Sequence, residues 1–169
     1  MKPTGVYPSV RVDTAGRGVV SVAGGLLLTE TVRVSGLGAA LSEALAPWRA
    51  PTATHDPGKV VTDLAVSLAL GGDRLADVAM LRVEPELFGS VASDPTVSRT
   101  VDRLATDVDT VLAGVFRALA VARERVWELA GKHAPGQAAS LEDPLVVDLD
   151  ATLVPAHSEK EQARPTFKR

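Results

Sequence analysis

The sequence predicts a mainly α protein: an N-terminal helical bundle with a helix-turn-helix-like region, followed by the first strand or strands of an incomplete α/β domain. Three observations lead there. Apolar residues recur at helical spacing across residues 26–129, in segments punctuated by Pro and Gly. Two short helical candidates, residues 74–82 and 94–104, follow one another closely, and the second opens on Ser93-Asp94-Pro95-Thr96. The run Leu145-Val146-Val147-Asp148-Leu149-Asp150-Ala151-Thr152-Leu153-Val154 is nearly continuously apolar and rich in β-branched residues, as a buried parallel-type strand is.

Taken in order, residues 1–17 mix Pro, Gly, Thr and Arg and read as a flexible N-terminus, with short strands expected at 10–12 and 19–22. A helical region of 18–133 follows. Leu27, Val32, Leu37, Leu41 and Leu45 mark a helical pair broken at Ser35-Gly36 and ended by Pro47 and Pro51. Asp56-Pro57 starts the next helix, with Pro at its first position, and Gly71-Gly72 stops it. Its many apolar residues make it largely buried. Asp73 is the expected cap of residues 74–82, with Leu75, Val78, Ala79 and Leu81 inward, and a short turn is expected at 85–88. A long helix over 107–130 carries a stripe through Val108, Val111, Leu112, Val115, Leu119, Ala122, Val126 and Leu129, and ends at Gly131 with Lys132 and His133 beside it. Residues 134–144 form a Pro/Gly/Ser linker, and 145–169 begin the second domain.

Bulk composition narrows the function classes. Aromatic residues make up 4% of the chain against 46% hydrophobic residues, so the core must be built from Ala, Val and Leu. The net charge of −3 argues against a strongly basic nucleic-acid module but leaves room for a local basic face. Without cysteine, the chain has no disulfide, thiol nucleophile or cysteine-ligated zinc. No signal-like N-terminus or run of roughly 20 apolar residues is present, so a cytoplasmic, nucleoid-associated protein with no membrane partner is expected.

Two constellations could carry chemistry. Asp148 and Asp150 fall on one face of the expected strand. Two close carboxylates repel each other unless a cation lies near, and Mg²⁺ is the hard cation such oxygens hold together with phosphate. The bland alternative is a strand end whose acids turn to solvent. The second constellation is the helical pair, in which Thr96 and Ser98 would reach base edges and Arg99 and Arg103 would reach phosphate. Its connector, residues 83–92, is longer than a helix-turn-helix normally uses, and a small bundle with a solvated face is the plain alternative. On the long helix, Arg117, Arg123 and Arg125 are offset by acids and read as a solvated face. Trp48 and Trp127 read as core anchors, and His55 and His133 as surface residues.

The blocks Gly25-Leu26-Leu27-Leu28, Leu68-Ala69-Leu70-Gly71-Gly72-Asp73, Ser93-Asp94-Pro95-Thr96-Val97-Ser98-Arg99 and Val147-Asp148-Leu149-Asp150-Ala151-Thr152, in this order, resemble the N-terminal half of insertion-sequence DDE transposases of the 1380-type group. The resemblance spans about residues 18 to 169. It implies N-terminal helices that bind terminal inverted repeats in double-stranded DNA, and an RNase H-like domain that cuts and joins DNA with an Asp, Asp, Glu triad. Mg²⁺ or Mn²⁺ would serve the complete enzyme, with none expected on this piece. The family's first acid precedes a small residue and Thr or Ser, so it falls on Asp150, with Asp148 as a second metal-side candidate. The second Asp and the Glu have no position here, and the expectation is a chain truncated after its first catalytic strand and not catalytic alone. A homo-oligomer is a further expectation.

Two rivals stand beside this reading. The same acidic run resembles the first motif of haloacid dehalogenase-like, Mg²⁺-dependent phosphatases, with Asp148 as nucleophile and Asp150 as general acid. That motif usually opens its domain and needs a downstream Ser or Thr, a Lys and further acids, which residues 155–169 do not supply as a set. The other rival is a non-enzymatic DNA-binding remnant, recognisable by affinity that falls steeply with salt.

Overall fold

A computed structural model describes residues 7–9 and 24–148. Seven α-helices succeed one another there: α1 (Gly25–Ser35), α2 (Leu37–Ala44), α3 (Pro57–Ala69), α4 (Ala79–Arg82), α5 (Pro85–Phe88), α6 (Asp94–Leu104) and α7 (Val108–Ala130). Short 3-10 turns at Ala46–Trp48, Leu75–Val78, Ala105–Asp107 and Gly131–His133 lead into or out of them. The described residues contain no strand.

The local chemistry of several boundaries is what the sequence led one to expect. Gly36 takes a left-handed φ of 73° between α1 and α2, a conformation open to Gly at little steric cost. Asp56 caps α3 by accepting from the Lys59 N–H at 3.0 Å, with Pro57 at the first helical position. Gly58 lets α3 lie against α2, since a Cβ there would meet Ser42 N at 2.4 Å and the Leu41 carbonyl carbon at 2.6 Å. At the start of the 75–78 turn the cap is Asp77 rather than Asp73. The Asp77 carboxylate reaches back to accept from the Asp73 and Arg74 N–H groups at 2.9 Å each.

The core is made in three patches. Phe88, Leu81, Val66 and Val32 join α1, α3, α4 and α5, with Tyr7 packed against them. Val60, Val78, Ala92 and Val97 join α3 to α6. Leu45, Leu104 and Val111 tie the end of α2 to α6 and α7, with Trp48 against them. Helix α3 is largely buried, as expected: Val60, Thr62, Asp63, Val66 and Ser67 are among its buried residues, and Leu68 and Ala69 near its end are exposed.

The long helix departs from expectation. α7 buries only Val111, Ala118 and Ala122, while Val108, Leu112, Leu119, Val126 and Leu129 of its expected stripe are exposed. The physical reason is the number of neighbours. α7 packs mainly on α2 and α1, which are too short to cover its whole apolar arc. Trp127 is therefore no core anchor, being 42% exposed, whereas Trp48 is one. Leu75 and Ala79 are likewise exposed rather than inward. Residues 145–148, the first four of the expected strand, are exposed and unpaired as strand among the described residues. The remainder of that run, with Asp150, lies outside the described residues, as do the expected strands at 10–12 and 19–22.

Candidate nucleic-acid interface

Helix α6 is strongly two-sided. Val97 and Leu104 point into the core, and the residues between them leave a polar face. Thr96, Arg99, Thr100 and Arg103 fall at i, i+3, i+4 and i+7 and so share one stripe. Opposite this stripe runs the irregular segment between α2 and α3, held in shape by the Asp56 cap. The Asp56 carboxylate also accepts from Ser42 Oγ at 2.7 Å, which ties the segment to α2. Between stripe and segment lies a groove of about 300 Å³, lined by Trp48, Arg49, Thr52, Thr54, His55, Thr96, Arg99, Thr100 and Arg103 among others.

The groove is basic, and its three guanidinium groups are weakly held. Arg49 Nη2 is 3.5 Å from the Ala53 carbonyl, and Arg49 Nη1 is 3.8 Å from the Asp56 carboxylate. Arg103 Nη1 donates to the Trp48 carbonyl at 3.4 Å, and Arg99 Nη2 to Thr96 Oγ1 at 3.1 Å. Each guanidinium carries five donors. Most therefore remain available to an incoming acceptor such as a phosphate oxygen. His55 sits at the groove's edge with its imidazole held below the ordinary value by burial and by the Lys59 charge, against the pull of Asp63. It is mostly neutral at neutral pH and leaves the three arginines as the positive charge.

Of the four DNA-contact residues expected from sequence, Thr96, Arg99 and Arg103 come together in this groove. Ser98 is exposed on the adjoining face of α6. The segment between the two helical candidates is not a tight turn. It contains α5, and Arg82 spans it by donating to the Ala92 carbonyl and to the Asp94 carboxylate, both at 2.7 Å. Arg49 was invisible to sequence reasoning because its approach to α6 depends on the path of the 46–57 segment. The nearest sequence signal was the Pro-rich break after α2, which marks an irregular segment but not its direction.

Sequence reasoning also missed a buried polar knot behind the groove. Lys59 Nζ lies 2.7 and 2.8 Å from the two Asp63 carboxylate oxygens, and the Tyr7 hydroxyl donates to the same carboxylate at 2.7 Å. Lys59 Nζ also stands 4.3 Å from the centroid of the Tyr7 ring. Burial pushes the Asp63 carboxyl up and the Lys59 ammonium down, each opposed by the partner's charge. Burial, with the Asp63 charge added, pushes the Tyr7 hydroxyl up. An (i, i+4) Lys–Asp pair on an apolar helix reads as a solvated pair, and only the arrival of Tyr7 from far along the chain seals it.

The acids offer no comparable cluster. Among the described residues, no three His, Cys, Asp or Glu side chains come near enough to hold a metal ion, and Asp148 is exposed at the end of the described chain. These residues alone do not fit a divalent-metal centre.

The chain matches the transposase DDE domain group 1 family over residues 2–168 and belongs to it. No curated protein and no solved structure matches the chain. Membership covers both the helical body and the acidic run, so the transposase resemblance of the sequence blocks holds at the level of the family. Among the described residues no helix is long and apolar enough to cross a membrane.

Proposed function

We propose that the helical body serves DNA transposition by gripping double-stranded DNA at the ends of an insertion sequence. Arg49, Arg99 and Arg103 would hold backbone phosphates, with Thr96 and Thr100 adding hydroxyl contacts. Ser98, on the open face of α6, would meet base edges. Such a division is physically economical, because phosphate contacts set register while base contacts set sequence preference. The observation that carries the reading is the convergence of three weakly held guanidinium groups on one groove in a chain whose net charge is −3.

In the same reading Asp150 is the family's first catalytic acid and Asp148 its neighbour. A divalent ion held there with acids from elsewhere would supply charge stabilisation for phosphoryl transfer. The groove's own part is to bind and orient the duplex.

The test is binding of the full chain to an end-sequence duplex and to a scrambled duplex across a salt series. The logarithm of affinity should fall linearly with the logarithm of salt, with a slope of about −0.9 for each phosphate neutralised, so roughly −3 for three arginines. The end sequence should bind more tightly than the scrambled one. A flat salt response, or no binding to either duplex, would sink the proposal.

A further inference from the structure

One face of α7 is apolar, exposed and unpartnered among the described residues. Phe116 is 65% exposed, and Leu112, Leu119 and Trp127 are 39–46% exposed. This stripe lies roughly a third of a turn away from the side on which α7 buries Val111, Ala118 and Ala122. Single exposed apolar residues are ordinary, but a contiguous patch of large ones marks an interaction surface.

The charges on the same stripe say what covers it. Asp109, Phe116 and Arg123 are spaced by seven residues each, so they lie in one line along the helix. Asp109 and Arg123 are both exposed, and neither forms an ion pair among the described residues. We infer that α7 docks antiparallel on the α7 of a second copy of this chain, about a two-fold axis at Phe116. Each Asp109 then faces the partner's Arg123, and the exchange happens twice. Leu112 falls opposite the partner's Ala120, and Leu119 opposite the partner's Ala113, so large side chains meet small ones. Parallel pairing would set Asp109 against Asp109 and Arg123 against Arg123, which like charges oppose. A two-fold contact needs a self-complementary patch, and this stripe is one. The helix dipoles favour the antiparallel sense as well.

The mass of the full chain in solution, read by light scattering and sedimentation, tests the inference. A dimer is expected. Phe116→Glu should abolish it while leaving the helical circular dichroism intact, because Phe116 belongs to none of the core patches among the described residues. Asp109→Arg should weaken dimerisation by roughly tenfold through two like-charge contacts, and adding Arg123→Asp should restore it. The cysteine-free chain permits a direct check of sense and centre: Phe116→Cys should cross-link under mild oxidation. A wild-type monomer at every concentration overturns the inference. So does a dimer that survives Phe116→Glu, or one in which the double charge swap fails to rescue.

Discussion

Asp63 lies one helical turn after Lys59 on α3, and its carboxylate holds the Lys59 ammonium at 2.7 Å with both side chains only 2% exposed. On a solvated helix such a pair contributes a few tenths of a kcal/mol. Here the low dielectric magnifies both the attraction and the cost of leaving one charge alone. Asp63→Ala should lower stability by about 3–5 kcal/mol, because it strands a buried ammonium and removes the acceptor of Tyr7. The paired change Lys59→Met with Asp63→Leu should cost far less than the sum of its parts. Urea denaturation of the three variants measures this, and a loss under about 1 kcal/mol for Asp63→Ala would contradict it.

Gly58 makes a second, sharper demand on α3. Its missing side chain is what allows the first turn of the helix to rest on the backbone at Leu41 and Ser42. The obstructing atoms are main chain and cannot rotate away. Gly58→Ala should therefore destabilise by about 1–3 kcal/mol or more, although Ala is the better helix former. Thermal melting shows which effect wins, and a raised midpoint would refute the packing account.

The groove arginines should be separable from Ser98 by salt. Arg99→Ala and Arg103→Ala should each weaken binding to any duplex and reduce the salt slope by about 1. Ser98→Ala should leave the slope alone and narrow the gap between end sequence and scrambled sequence. If Ser98→Ala shifts the slope and the arginine variants do not, the roles are assigned the wrong way round.

His55 supplies a pH dependence whose sign follows from its environment. Its folded pKa is lowered, chiefly by burial, so the folded chain binds fewer protons there than the unfolded chain does. Its stabilising contribution is present above the ordinary value of about 6.5 and is lost as pH falls through the folded value. The effect is small because the ring is only half-buried and solvent screens it. His55→Gln should flatten the decline of stability on acidification, seen as converging urea midpoints for variant and wild type at about pH 5.5 relative to about pH 7.5. Parallel curves would show that other groups set the acid limb.

Much of the helical order was legible because its signals are local. Asp56-Pro57 announced α3, Ser93-Asp94-Pro95 announced α6, and Gly36 and Gly131 closed their helices. The stripe of Thr96, Arg99 and Arg103 could also be read from spacing, since helical period alone puts them on one face. Ser98 could not be sorted from them until the position of the 46–57 segment was known.

By itself, then, the sequence determined most of the helices, the Asp56 cap, the polar face of α6 and the family blocks, because each depends on neighbours within a few residues. Only the tertiary structure decided which apolar arcs find cover. It left the α7 stripe bare, since α1 and α2 are too short to span it, and it buried the Lys59–Asp63 pair beneath Tyr7, 56 residues from Asp63. It also brought Arg49 to α6, because the course of an irregular segment is set by what it packs against and not by its own residues.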